Sequence, residues 1–488
     1  MSSKALNRRR FLTTTAGLAG GAFTFPNLLL HGQNSASKKL NIAVIGALGK
    51  GQSDTQAIAL DHNIVALVDV DKKRVEEAAA KHAKYFTDAG QTAPSTAPKL
   101  YQDFRKMLDE NHKDIDGVII STPDHTHFVA AMWALGYGKH VCVQKPLCNT
   151  IWEVRELHKA AKAAGVVTQM GNQGRTMEGQ RLAKEWIEQG AIGTLKGINL
   201  WTNRPIWPQG PLKKVAAAAP AELDWDLWLS SEASEPYFEF DIPTGQSNKR
   251  GKSVHPFNWR GWWQFGSGAL GDMGCHIMDA TFSILGQAIP VKIEVESGEV
   301  SEHCAPTWSS LKYHFAPGKN NPEPLVVSWQ DGVKDGQANK PAKPEMMADL
   351  SEEGWKKASS GMIFQGTEAV VYEGDAYCAS PSIYPSAKFM DTKKAMAAGT
   401  LKKTEARSPK PNNPQGEWAH CIVNGGTPSS NFDYSCPLTE FVLLGNLAIR
   451  SGKTVQWDKE AMKVTNDEGA NKYIKRASYR DGWLKAKA

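Results

Sequence analysis

The stretch "LGDMGCHIMDA", residues 270–280, sets Asp272 and His276 four residues apart, with Asp279 three further on, directly after the glycine-rich run "GSGA". Four-residue spacing puts side chains on one face of a helix, and glycines ahead of them let another molecule approach the backbone. A carboxylate beside an imidazole suits removal of a proton from a hydroxyl, because histidine titrates near neutrality unaided. Oxidation of a secondary alcohol needs such a base, and a cation for the developing alkoxide. Lys145, in "QKP" after an apolar strand, is the candidate cation. The same Asp–His spacing also suits a surface salt bridge, or a divalent ion shared with Asp279 or His125. No recognisable third-ligand motif accompanies the pair, and no metal is expected.

The first half of the chain supplies a scaffold for this chemistry. "KKLNIAVIGALGKGQSDTQAI" reads as an apolar strand, a glycine turn and a helix, and "NIVALVDVD" as a second strand ending in Asp69, 23 residues after Gly46. Strand, glycine turn, helix and terminal acid form a dinucleotide fingerprint, in which the turn takes the pyrophosphate and the acid the ribose hydroxyls. Asp69 favours NAD, although Lys72, Lys73 and Arg74 leave NADP open. Leu48 stands where the fingerprint has its second glycine, with Gly49 and Gly51 beside it, so the leucine must point away or shift the turn. The strands of "DGVIISTPDHTHF", "KHVCVQKP" and "VVTQMGNQ" alternate with helical segments, which predicts a doubly wound parallel sheet with ligand groups at the strands' carboxyl ends. Thr122, Pro123, Asp124, His125, His127, Gln144, Lys145, Asn172 and Gln173 fall on such ends.

Together, "AVIGALGKG", "VDVD", "STPDHTH", "QKP" and "GDMGCHIMD" resemble the Gfo/Idh/MocA oxidoreductases over residues 38 to about 300. The resemblance implies a Rossmann domain followed by an α+β domain with an open mixed β-sheet, and action on sugars, inositols or related polyols. It places a cofactor, NAD with NADP not excluded, on Gly46, Leu48, Gly49, Gly51, Asp69, Thr122, Pro123, His125, His127, Gln144 and Lys145. The bland reading of His125 and His127 is that they are loop residues lining the cofactor. The family's Glu-Lys-Pro motif falls on Gln144, Lys145 and Pro146, so a negative charge next to the lysine is missing. By the same resemblance Lys145 holds the reacting hydroxyl, His276 takes its proton, and Asp272 orients substrate and imidazole. The expected domains are 38–172 for the Rossmann unit and 173–488 for the sheet domain.

Two stretches near 204–262 and 334–415 read as surface insertions, since they lack sustained periodicity. The first is rich in tryptophan; Trp259, Arg260 and Trp262 lie just upstream of the catalytic segment and, with Asn172 and Arg204, are the candidate substrate residues. Core packing is the competing reading for most of these tryptophans.

The leader "NRRRFLTTTAGLAGGAFTF" within residues 1–37 resembles a twin-arginine export signal, through Arg8, Arg9, Phe11 and Leu12. Its apolar run, broken by Thr, Gly and Pro26, is too short for a membrane span. An exported, periplasmic protein is expected. Without Lys4, Arg8, Arg9 and Arg10 the net charge falls from +6 to +2, too little to argue for nucleic acid or a membrane surface. Seven scattered cysteines without a CxxC pair read as buried small hydrophobes, with one bridge allowed in an oxidising compartment.

Export constrains the chemistry, because nicotinamide nucleotides are not supplied outside the cytoplasm. The expected activity is a sugar or glycoside oxidoreductase with tightly held NAD, in a homodimer or homotetramer by family resemblance. A first alternative is a hydrolase of the glycoside hydrolase family 109 type, working by oxidation, elimination, hydration and re-reduction, although its "PTHG" signature is absent. A second is a non-catalytic sugar-binding protein, which Leu48 and Gln144 favour.

Overall fold

A computed structural model describes residues 39–246 and 249–484, so the leader lies outside the described residues. The first six strands are β1 (Asn41–Ile45), β2 (Asn63–Val68), β3 (Lys99–Tyr101), β4 (Gly117–Ile120), β5 (His140–Val143) and β6 (Thr168–Met170). They form one parallel sheet in the order β3-β2-β1-β4-β5-β6. Their near-continuous apolar runs follow from burial on both faces. Strand order reverses between β1 and β4, and there the loops leave the carboxyl edge in opposite directions, opening a crevice. One face packs on the helices Asp124–Gly136 and Ile151–Ala164, through Phe128, Val129, Val154 and Leu157. The other is covered by α1 (Lys50–Gln56), α2 (Lys72–Asp88) and a helix from far downstream, Pro414–Asn424. Trp418 of that helix is fully buried, and a Cβ at Gly117 would lie 2.6 Å from its ring.

The second sheet has ten strands and begins at β7 (Leu195–Thr202), which pairs parallel with Leu325–Lys334 and antiparallel with Ser360–Gly366. Two helices back it, Gly268–Ile284 and Phe432–Ser451. They approach closely because Gly274 and Gly445 leave room for Val442 and for Leu270 and Tyr313. The segment "MIFQGTEAVVYEG" forms a hairpin, Ser360–Gly366 paired with Val370–Glu373. All seven cysteines are buried and free. Among the described residues no helix is long and apolar enough to cross a membrane.

The two stretches read as irregular carry more structure than their composition suggests. Residues 345–347 and 352–357 are helical and cap the sheet's outer face, with Met347 and Trp355 on Trp201, Ile363 and Tyr372. Ser386–Ala397 is a twelve-residue helix. The tryptophan-rich insertion has its own aromatic core of Trp228, Phe238, Phe240, Trp262 and Phe265. It docks on the first sheet through backbone bonds from Lys72 N to Glu222 O (2.9 Å) and from Asp224 N to Val70 O (3.0 Å).

The fit of Trp418 on Gly117 yields a test of the downstream helix. Gly117→Ala overpacks this contact and should lower the unfolding free energy by about 1–3 kcal/mol, read from the denaturant midpoint; an unchanged midpoint would mean that the helix is not tightly seated.

Candidate active site

At the crevice the glycines are required by contact distances. Gly46 has φ 80° and a Cβ there would lie 2.7 Å from Ser121 O, while one at Gly51 would lie 1.8 Å from Gly46 O. Leu48 does not disable the turn. Its side chain packs on the apolar cluster of β1 and β2 while edging the crevice. No side chain caps α1 at Gly49. At the end of β2, Asp69 accepts from Asp71 N (3.2 Å) and pairs with Arg74 Nε (3.6 Å). Burial pushes its carboxyl up to about 6, against the opposing pull of Arg74. Lys72 and Lys73 are exposed, which leaves Arg74 as the cation at this end. A cradle that any Cβ would fill, with an acid at its far side, fits a dinucleotide.

Gly46, Leu48, Gly49, Asp69, Thr122, Pro123, Gln144, Lys145, Trp259, Arg260 and Asp272 line one cavity of about 470 Å³. At its inner end Lys145 Nζ donates to Asp272 Oδ1 (3.1 Å) and to the Asp272 carbonyl (2.6 Å). Arg260 Nε reaches the same Oδ1 (3.2 Å) and its guanidinium lies 4.3 Å from the Trp259 ring centre. Burial would raise the Asp272 carboxyl, but Lys145 and Arg260 override it and hold it well below the usual carboxylate range.

His276 is buried one helical turn beyond Asp272, with Nδ1 unpartnered and Tyr377 edge-on at 5.0 Å. Burial, then the Lys145 charge, push its imidazole well below the usual histidine range, so it is neutral. Asp272 makes no described hydrogen bond to it; Lys145 and Arg260 both contact Oδ1 of the carboxylate.

Seven expected site residues lie outside that lining: His276, Gly51, which packs against Gly46, and five more whose side chains face elsewhere. His125 is fully buried, its ring nitrogens facing the Trp228 and Phe265 carbonyls (2.9 and 3.4 Å), and burial pushes it down to about 3. His127 sits between the Pro146 and Thr122 carbonyls (2.8 and 2.9 Å), neutral because burial pushes it down to about 4. It ties the "TPD" loop to the "QKP" loop and so positions Lys145 without lining the cavity. Trp262 belongs to the aromatic core of the insertion. Asn172 is fully buried, donating to Asp279 Oδ2 (2.6 Å) and accepting from Ser430 Oγ (2.6 Å). Arg204 bonds Asn203 Oδ1 (2.6 Å) outside the cavity lining, although its charge is felt at His276.

Sequence reasoning assigned no site role to three contributors. Asp124 lines the cavity, accepts from Ser267 Oγ (2.9 Å), and burial pushes its carboxyl up to about 7. Its place in "TPDHTH" was visible, but nothing there separated it from the two histidines. His255, bonded to Asp71 Oδ2 (3.3 Å) and pushed down to about 4 by burial, fastens the insertion over the Asp69 end of the crevice. Trp483, on Phe104, closes the cavity from the far end of the chain. Among the described residues no cluster of His, Cys, Asp or Glu could hold a metal ion.

The Asp69 carboxyl sets a pH dependence. Its pKa in the fold, about 6, is above the ordinary value, so the accepting carboxylate form is lost as pH falls through 6. NADH affinity should weaken between about pH 7 and 5, and Asp69→Asn should bind more weakly with that dependence removed; a wild-type affinity flat across the window would exclude Asp69 from the ribose site.

Comparison with known proteins agrees with this fold. The family model "Oxidoreductase family, NAD-binding Rossmann fold" matches residues 40–172, and its companion "C-terminal alpha/beta domain" matches 186–321. Levoglucosan dehydrogenase of Pseudarthrobacter phenanthrenivorans is 28% identical over 186 residues, 38% of this chain and 36% of that protein. A glycosyl hydrolase family 109 protein of Shewanella pealeana is 27% identical over 212 residues, 39% of this chain and 44% of the other. These matches therefore span less than half of either relative. In fold, the WlbA dehydrogenase of Bordetella pertussis, solved with NADH and UDP-GlcNAcA, superposes with a TM-score of 0.54 at 16% identity, over 86% of this chain and 99% of that one. The chain belongs to the Gfo/Idh/MocA family of oxidoreductases and carries its NAD-binding Rossmann domain.

Proposed function

We propose that the protein oxidises a secondary hydroxyl of a sugar, glycoside or related polyol, using NAD that it holds tightly. The observation that carries this reading is the meeting of Lys145 and Asp272 at the inner end of a crevice whose outer end holds Gly46 and Asp69. Gly46, Gly49, Gly51 and Asp69 would hold the dinucleotide, with Thr122, Pro123 and Gln144 toward its inner end. When bound, that group supplies the hydride acceptor. The Lys145 ammonium, fixed by its two contacts to Asp272, meets the reacting oxygen and stabilises alkoxide as the proton leaves. His276, kept neutral by burial, is the nearby group able to accept that proton. Arg260 shares Asp272 with Lys145 and presents Trp259 and its own stacked guanidinium to a sugar ring.

Tight retention is supported by the walls of the crevice. Trp228, His255, Pro256 and Phe257 from the insertion and Trp483 from the C-terminal segment wall a cleft that a bare Rossmann edge would leave open to exchange. Together with the "NRRRFL" leader, this supports an exported enzyme that regenerates its cofactor within each cycle. The similarity to a glycosyl hydrolase family 109 protein favours one second reading. In it the same centre oxidises a glycoside, loses the glycosidic substituent by elimination, adds water and re-reduces the ring, with no net redox change.

Acid extraction of the extensively dialysed protein should release close to one nicotinamide nucleotide per chain; none, with no rebinding, would sink the retained-cofactor reading and favour sugar binding alone. Glycosides turned over only with an added acceptor indicate the dehydrogenase, and aglycone released without one indicates the hydrolase. Lys145→Met should lower kcat by roughly 10²–10⁴-fold while leaving nicotinamide content unchanged.

A further inference from the structure

The most heavily coordinated carboxylate in this region belongs to Asp54, a residue to which no role has been given. It is fully buried, one turn into α1, and three other segments converge on it. Oδ2 accepts from Ser121 Oγ (2.7 Å), after β4, and from Gln144 Nε2 (2.8 Å), after β5. Oδ1 accepts from Gln415 Nε2 (2.8 Å), in the helix Pro414–Asn424, and from the Lys50 ammonium. Gly171, after β6, makes the space, since a Cβ there would lie 2.3 Å from Gln144 Nε2.

This arrangement dictates both the type and the orientation of residue 144. A glutamate there would set two carboxylates at hydrogen-bonding distance in a buried place, and one would have to take a proton. A glutamine donates, and in donating it turns its other end away from Asp54. That end, Gln144 Oε1, is buried and has no partner in the protein, on a side chain that lines the cofactor cavity. Leaving a buried acceptor orphaned is costly unless a ligand satisfies it.

We propose that Asp54 is a positioning residue that locks the Gln144 amide with Oε1 toward the crevice, as an acceptor for an N–H or O–H of the bound nicotinamide nucleotide. Asp54 and Gln144 form one coupled unit, and either can be exchanged only together with the other. The proposal rests on reading the crevice as the cofactor site.

The test uses the full chain in four forms: wild type, Gln144→Glu, Asp54→Asn, and the double variant. The readouts are the nicotinamide retained after dialysis and the rise in thermal midpoint on adding NADH. Gln144→Glu should lose cofactor at least about tenfold faster than wild type near pH 8 and recover part of its retention near pH 6, where the two carboxylates share a proton. Asp54→Asn leaves one acceptor oxygen where donors arrive on both sides of the carboxylate, so Ser121 and Gln144 on one side and Gln415 and Lys50 on the other are no longer all satisfied and the Gln144 amide is no longer locked; at least about tenfold faster loss is expected, with no recovery at lower pH. The double variant restores a donor facing an acceptor, because the amide introduced on α1 donates to the carboxylate introduced after β5. It should retain cofactor within about threefold of wild type at both pH values. Wild-type retention in Gln144→Glu at pH 8, or a double variant as impaired as the two single changes combined, would overturn the coupling. If Gln144→Glu does not fold, the proposal stands or falls on whether the double variant folds and retains cofactor. A wild type that neither contains nor binds the nucleotide would instead overturn the reading of the crevice itself.

Discussion

The ion pair between Lys145 and Asp272 is the point at which the two halves of this protein become one machine. The lysine comes from the carboxyl edge of a Rossmann sheet and the aspartate from the first turns of a helix backing the second sheet. Both are largely shielded from water, and each would be costly to bury alone. The second contact, from the ammonium to the Asp272 carbonyl, fixes where the charge sits as well as compensating it. His127 bracing the two loops, Ser267 joining Asp124 to the start of the catalytic helix, and Arg260 sharing the carboxylate all serve that placement.

The parts of the site that could be read from the sequence are those made by contiguous motifs. The glycine turn and the acid ending the second strand lie within one βαβ unit, so spacing alone brought Gly46 and Asp69 together. Lys145 and Asp272 followed from short patterns on a strand end and a helix. Their contact, across 127 residues, followed only from a family resemblance. The leucine in the glycine position looked like a defect because sequence spacing cannot say that its side chain turns onto the strands.

What could not be read has one physical cause: polar partners scattered along the chain. Asp54 is met by residues 67, 90 and 361 positions away, and in the sequence it is one acid in a polar helix start. His125 and His127 resembled ligands because histidine type does not reveal whether its nitrogens face a cavity or a backbone carbonyl. Trp259 and Trp262, three residues apart, both belong to the aromatic core of the insertion, and Trp259 also edges the crevice while Trp262 does not. Aromatic composition is shared by sugar platforms and by small cores, and only the surrounding strands decide between them.

The helix that carries Trp418 has a consequence for how the chain reaches this state. A nascent chain that has emerged only through β6 presents Ile42, Val44 and Ile119 on a sheet face whose cover is still incomplete, since Trp418 lies 251 positions beyond its partner Val167. Such non-local closure makes folding slow and leaves an apolar surface open in the meantime. The same helix carries Gln415 to Asp54, and the segment ending in Trp483 arrives later still. The nucleotide crevice is thus completed only when these downstream segments dock on the earlier sheet.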